Sequence, residues 1–144
     1  MKAAPAKPPQ KIVKEVTYNA TMSSGDKIAL VSNLHTMLAS GIPILETVDS
    51  LLEDSKGGTK KLLETMRQDL GQGRHIYATF AKFPKIFDKV TISIIKASEE
   101  SGTLDTALED LQSNIKKEIE LVKKNVQRSS NNQNGWYSEL FQSS

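Results

Sequence analysis

Apolar residues recur every three or four positions from Ser24 to about Gln127, the spacing of helices with one buried face. Five breaks that contain glycine or proline divide this stretch into six segments. The breaks are Gly41-Ile42-Pro43, Lys56-Gly57-Gly58, Gly71-Gln72-Gly73, Pro84 and Ser101-Gly102. The β-branched run before Ser101 could pass for a strand, but its length and helical neighbours favour a helix. The pattern therefore predicts an all-α fold, an antiparallel six-helix bundle.

The helix ends and the last helix have the clearest patterns. Ser23 and Asp26 resemble a capping box at the start of the first helix. Gly41 suits a left-handed C-cap, Pro43 suits the first turn of the second helix, and Thr103 can cap the sixth. The sixth helix is predicted to be roughly 20 residues or more, about 30 Å long. Its apolar stripe is Leu104, Leu108, Leu111, Ile115, Ile119, Val122 and Val126.

Two polar ends flank the predicted domain of residues 24–127. Residues 1–23 hold three of the five prolines and are predicted to form an extended, basic arm of proline and lysine. Residues 128–144 are rich in Ser, Asn and Gln without a period, which predicts a disordered tail or an added sequence. The arm has four lysines against Glu15 and the tail is neutral, so the helical middle has a net charge of about −1.

Composition excludes several classes of function. The 144 residues include no cysteine, which excludes disulfides, thiolate nucleophiles and cysteine zinc sites. A net charge of only +2 disfavours nucleic-acid binding. The longest stretch without a charged side chain, residues 28–45, contains polar residues and a Gly-Ile-Pro break, so it does not predict a membrane helix. The N-terminus lacks the apolar region of a signal peptide. A soluble chain in a reducing compartment is the simplest interpretation.

Few residues are candidates for chemistry. His35 is predicted to be a partly buried or interface histidine, and His75 to face solvent at a helix start. Glu99, Glu100 and Asp105 form the one acidic cluster at a turn, and they are weak candidates for a calcium or magnesium site. The preferred interpretation is structural, with Asp105 favoured by the helix dipole and Glu99 exposed. We therefore expect no enzyme activity, catalytic residue, cofactor or resident metal.

The aromatic residues of the helical middle gather around one corner. Four of them lie near Pro84, and they are predicted to pack the fourth helix onto the bundle rather than to bind a peptide. The four are Tyr77, Phe80, Phe83 and Phe87.

Three motifs resemble those of one known family, the inner-membrane platform proteins of type II secretion and type IV pilus machines. Residues 39–46 (ASGIPILE) are similar to its Gly-x-Pro corner, and residues 71–84 (GQGRHIYATFAKFP) to its glycine-to-Phe-Pro stretch. Residues 94–105 (IIKASEESGTLD) resemble its Gly-Glu-x-x-Gly-x-Leu pattern. The motifs occur in order over residues 26–127. Two departures are Ser98 at a usual glycine and His75-Ile76-Tyr77 in place of Ser-Leu-x.

The resemblance implies the N-terminal cytoplasmic domain of such a protein, at the cytoplasmic face of the bacterial inner membrane. It implies a non-enzymatic scaffold that couples the cytoplasmic assembly ATPase to pilin or pseudopilin polymerisation. Other inner-membrane assembly proteins are implied partners, and the domain is often a dimer. Glu100 is expected to accept hydrogen bonds from backbone amides near Gly102. The motif residues are Gly41, Pro43, Gly73, Phe83, Pro84, Glu100, Gly102, Leu104 and Asp105.

Family members continue into membrane-spanning segments, so this chain is interpreted as a soluble fragment that joins the membrane through segments it lacks. The motifs do not separate pilus biogenesis from secretion. An alternative function is a stand-alone helical adaptor that binds a partner helix. A third, a hydrolase, would need His35, Glu99 and Glu100 in one cleft. Self-association to a homodimer or higher oligomer is also expected, because the long sixth helix extends past its shorter neighbours.

Overall fold

The computed structural model describes the backbone of residues 16–142 and the side chains of residues 16–130. Within these bounds all regular structure is helical, which confirms the predicted all-α fold. Six helices follow one another as a bundle with short connections. They are α1 (Ser24–Ala39), α2 (Ile44–Leu52), α3 (Gly57–Gly71), α4 (Ile76–Ala81), α5 (Lys89–Ser101) and α6 (Leu104–Gln142).

The corner between α1 and α2 follows the predicted cap residues closely. The backbone N–H of Asp26 donates to Ser23 Oγ at 3.1 Å, which satisfies one free amide at the start of α1. Gly41 has a φ of +82°, and the N–H of Ile42 returns to the carbonyl of Met37 at 3.0 Å. Pro43 is the N-cap of α2 rather than part of its first turn, because its extended ψ of 144° precedes the helix.

The core lies between α1 and α6 and continues under α3 and α4. The contact between α1 and α6 is the most extensive of the bundle. Leu34 and Leu108 are fully buried there, and Ile115 is the last buried residue among the described side chains of α6, which end at residue 130. Burial of such a stripe is what stabilises an amphipathic helix whose polar face stays in water.

The aromatic corner forms as predicted for three of its four residues. Phe80 and Phe87 stack with their ring centroids 4.0 Å apart, and Phe83 is fully buried beside them. Tyr77 differs from the prediction, since it is only partly buried and its ring stacks on His75 at 5.6 Å. Pro84 is exposed in the turn after α4, which ends before it at Ala81.

The end of the predicted arm packs on the bundle. The N–H of Tyr18 donates to the carbonyl of Lys82 at 2.7 Å, and its ring stacks on Phe83 at 5.3 Å. A Cβ at Gly58 would lie 2.1 Å from the carbonyl oxygen of Thr21, so only glycine allows this approach. Residues 16–22 thus contact α3 and α4, whereas residues 1–15 of the arm lie outside the described part of the chain.

The backbone of α6 stays helical through Gln142, so the helix runs past Gln127, where its apolar period ends. This differs from the expected disordered tail. Ser, Asn and Gln cost no more than about 0.7 kcal/mol each in a helix, so the loss of the apolar period does not by itself end the helix. The division of the chain into arm, domain and tail remains a prediction.

Candidate interaction surface

Glu99, not Glu100, bonds backbone amides in the α5–α6 region. Glu99 Oε2 accepts from the N–H of Ile76 at 3.0 Å, and Oε1 accepts from the N–H of Tyr77 at 2.6 Å. This carboxylate therefore caps the N-terminus of α4, where negative charge is favoured. The expectations of an exposed Glu99 and a bonded Glu100 were wrong. Helical spacing places Glu99 four residues after Ile95, which is buried, and turns Glu100 towards solvent.

Gly102 forms the C-cap of α5 with a φ of +75°. The N–H of Thr103 then donates to the carbonyl of Ser98 at 2.9 Å and closes the turn. Ser98 is buried, and its Oγ donates to the carbonyl of Ile94 at 2.7 Å. Leu104 begins α6 half-buried, and Asp105 is exposed in its first turn, as the structural interpretation predicted. Gly73, the other motif glycine, has a φ of +78° after α3.

The acidic cluster is not assembled. Among the residues that the structure describes, no three His, Asp or Glu side chains are placed to hold a metal ion together, and this includes Glu99, Glu100 and Asp105. Both oxygens of Glu99 already bond to amides of α4. We therefore retain no metal ligand among these three residues.

The two histidines have different surroundings. Nδ1–H of the half-buried His35 donates to the backbone carbonyl of Asp105 at 3.0 Å, which links α1 to the start of α6. A carbonyl can only accept, so this bond selects the tautomer protonated at Nδ1. His75 is exposed as predicted, and its Nδ1 lies 3.5 Å from Glu99 Oε2. His35 and Glu99 thus bond to different elements, which does not favour the hydrolase hypothesis.

One buried polar centre escaped the sequence analysis. Asp69 of α3 is 2% exposed, and its carboxylate accepts from Thr79 Oγ1 at 2.8 Å and Lys82 Nζ at 2.7 Å. Arg74 adds a longer bond at 3.3 Å. The position of Asp69 three residues after Met66, on the apolar face of α3, was the available signal. The centre holds α4 on α3 and leaves no free group for chemistry.

An exposed apolar region of the bundle lies along α5 and α6. Val90 is 67% exposed and Ile94 is 51% exposed, although both belong to the apolar run of α5. Between the two helices runs a groove of about 490 Å³, and its lining includes Ile94 of α5 with Leu111 and Lys117 of α6. A groove with apolar walls and a charged rim is suited to binding another protein segment.

A second pocket shares Ile94 and Leu111 with this groove, and its lining includes charged residues of both signs. Lys27, Lys85 and Asp88 are among them. Asp88 is the N-cap of α5 and accepts from the N–H of Thr91 at 2.8 Å. Hydrogen bonds from Thr91, and to a smaller extent the charge of Lys27, hold the pKa of Asp88 below its ordinary value. This carboxylate is therefore charged at neutral pH and fixes the start of the exposed helix.

These features define an all-helical bundle domain with a rigid, hydrogen-bonded set of corners and an apolar surface groove. A family model described as "Type II secretion system (T2SS), protein F" matches residues 30–142. Since this match covers most of the chain, the chain belongs to the type II secretion system protein F family. The family resemblance of the three motifs is confirmed. No helix within residues 16–142 has the length and hydropathy required to cross a bilayer.

Curated relatives come from both kinds of machine. The chain is 27% identical over 94 residues to the type IV pilus assembly protein PilC of Pseudomonas aeruginosa, covering 65% of this chain and 25% of the relative. It is 30% identical over 95 residues to the type II secretion system protein F of Vibrio cholerae, with coverages of 65% and 23%. For the PilC protein of Thermus thermophilus the identity is 33% over 90 residues, with coverages of 61% and 22%. The chain thus spans about a quarter of the length of these relatives.

Proposed function

We propose that this chain is a non-enzymatic scaffold and coupling domain of an inner-membrane platform protein, active in type IV pilus assembly or type II secretion. The observation that carries the proposal is the family match over residues 30–142, together with relatives whose names state these two processes. Its location is the cytoplasmic face of the bacterial inner membrane. Its partners are the cytoplasmic assembly ATPase and other assembly proteins.

The corner geometry supports a role as a rigid body. The motif glycines Gly41, Gly73 and Gly102 all have positive φ values that side chains rarely adopt, so they define tight turns. Glu99 and Asp69 tie α4 to α5 and to α3 through bonds of 3.0 Å or less. A domain with these interhelical hydrogen bonds can move as one rigid unit. A displacement imposed by one partner then reaches another partner without local unfolding.

The α5–α6 groove is the surface that we assign to the ATPase. Val90 and Ile94 would supply its apolar contacts, because both side chains are more than half exposed on the bundle surface. The more apolar surface is exposed in the free domain, the more favourable is the free energy when a partner buries it.

The test is retention of the purified assembly ATPase from the same organism on the immobilised chain. We expect the unchanged chain to retain it, the Val90→Ser/Ile94→Ser variant to bind at least tenfold more weakly, and Leu45→Ser to bind normally. Leu45 is the matched control, because it is 43% exposed on α2, away from the groove. Failure of the unchanged chain to retain the ATPase would contradict the coupling role. Equal binding by the groove variant would contradict only the assigned surface.

Self-association is part of the same proposal. A second copy of the domain is expected among the partners, as a homodimer or higher oligomer. Sedimentation equilibrium over a concentration series measures it directly, and a single monomeric species at the highest concentration would refute it.

A further inference from the structure

The end of α6 projects from the bundle. Every described residue from 120 to 130 is exposed, in contrast to the buried Leu108 and Ile115 nearer its start. Three large apolar side chains of this segment face water, each about 60% exposed. They are Leu121 (59%), Val122 (62%) and Val126 (64%). Apolar exposure of this kind on a surface helix indicates a missing contact.

Charge is segregated around this part of the helix. A rotation of about 100° per residue places Val122 and Val126 on one side, whereas Leu121 lies about 120° from the middle of that side. Lys116 and Lys123 border the apolar side, and the other basic residues of 116–128 lie on the opposite side. The basic residues are Lys116, Lys117, Lys123, Lys124 and Arg128, against which stand only Glu118 and Glu120. The segment is therefore a basic amphipathic helix with a net charge of +3 over residues 116–128.

This pattern distinguishes between the possible occupants. A second copy placed against the same stripe would bring two segments of net charge +3 together, which is unfavourable. An anionic surface instead attracts the positively charged segment and offers an apolar layer for Val122 and Val126. Lys116 and Lys123 border the apolar side, so their long stems can reach headgroups while Val122 and Val126 enter the layer below.

We propose that residues 120–130 of α6 lie on a lipid surface that contains anionic headgroups. The helix lies in the interface and does not cross it, consistent with the lack of a spanning helix within residues 16–142. The proposal concerns this chain's own segment and does not rest on the coupling role or on membrane segments elsewhere.

The test is co-sedimentation of the full chain with vesicles of phosphatidylcholine, with or without about one third phosphatidylglycerol. We expect binding to the anionic vesicles only, and release when salt is raised to about 1 M. The Lys116→Gln/Lys123→Gln variant should bind roughly 30-fold more weakly, since each basic residue near an anionic surface contributes about fivefold. Val122→Ser/Val126→Ser should also weaken binding, because insertion of the apolar side is lost.

The matched control is Lys56→Gln/Lys60→Gln, which removes the same charge from exposed positions around the start of α3. It should bind as the unchanged chain does, and all variants should keep their helical circular dichroism. Equal binding of the Lys116/Lys123 variant and the control would overturn the proposal. So would displacement of the chain by polyglutamate at equal charge concentration, which would indicate an acidic protein partner. If Val122→Ser/Val126→Ser removes a dimer but leaves vesicle binding unchanged, the stripe pairs with a second copy and the lipid proposal is wrong.

Discussion

The two parts of α6 have the same apolar spacing and opposite surroundings. From Leu104 to Ile119 the stripe packs on α1 and α5, and Leu108 is fully buried. From residue 120 to residue 130 the helix has no neighbour within the described bundle, and Val122 and Val126 face water. Periodicity therefore identifies which side of a helix can pack, but not whether a partner is present.

The largest effect is expected where the stripe is buried. Leu108→Ala should lower the free energy of unfolding by about 3 kcal/mol, because it leaves a cavity in a site that is fully buried. Val126→Ala, on the same stripe but exposed, should change it by less than about 0.5 kcal/mol. Urea denaturation followed by circular dichroism measures both. Similar losses in the two variants would mean that the end of α6 is also packed in the isolated chain.

A second contrast lies in two adjacent carboxylates. Glu99→Ala should lower the free energy of unfolding by about 2 kcal/mol, because two amides at the start of α4 lose a charged acceptor. Glu100→Ala is the control, and it should stay within about 0.5 kcal/mol, since Glu100 is exposed. Thermal unfolding of the two variants gives the comparison. If Glu100→Ala lowered the free energy of unfolding more than Glu99→Ala does, the assignment of Glu99 as the cap of α4 would be contradicted.

The turn that leads into α6 should be sensitive to its backbone conformation. Gly102→Ala should cost about 1 kcal/mol, because a φ of +75° is unfavourable for a residue with a Cβ. Gly25→Ala is the matched control in a helical position with no close neighbour to a new Cβ, and it should be neutral or slightly stabilising. Urea midpoints of the two variants measure the difference. Equal midpoints would show that the turn tolerates a different φ.

The smallest effect is expected at Asp88, the N-cap of α5, and it should be lost in acid. The pKa of Asp88 is lower in the folded chain than in the unfolded chain, so its contribution to stability is present above the ordinary Asp pKa and is lost as the pH falls through the folded value. Asp88→Asn keeps an N-cap acceptor but does not titrate. The unchanged chain should therefore be the more stable of the two at pH 7, and the difference should disappear as the pH falls below about 4. Identical acid denaturation curves would argue against the lowered pKa.

Much of the fold was predictable because its signals are local. Gly41, Pro43 and Gly102 restrict the backbone at the positions where they stand, and the Ser23 cap bonds a residue three positions away. Such interactions need no knowledge of the rest of the chain. The three family motifs lie at these corners, so the family could be identified from the same residues.

The candidate site was less predictable, because its bonds join distant positions. Glu99 and Ile76 are 23 residues apart, and His35 and Asp105 are 70 apart. Two of the polar partners of Asp69 are Thr79 and Lys82, which follow it by 10 and 13 residues. Predicting that Glu99 rather than Glu100 caps α4 would require the orientation of α5 relative to α4, which no local sequence pattern contains.

The sequence alone therefore determined the helical class, the corners and the family, because helix propensity, capping and backbone restriction act within a few residues. Tertiary structure decided which carboxylate caps α4, which apolar residues of α5 stay exposed, and where α6 leaves the bundle. These outcomes depend on which surfaces meet, and burial by a neighbouring helix is a property of the folded chain rather than of any one segment.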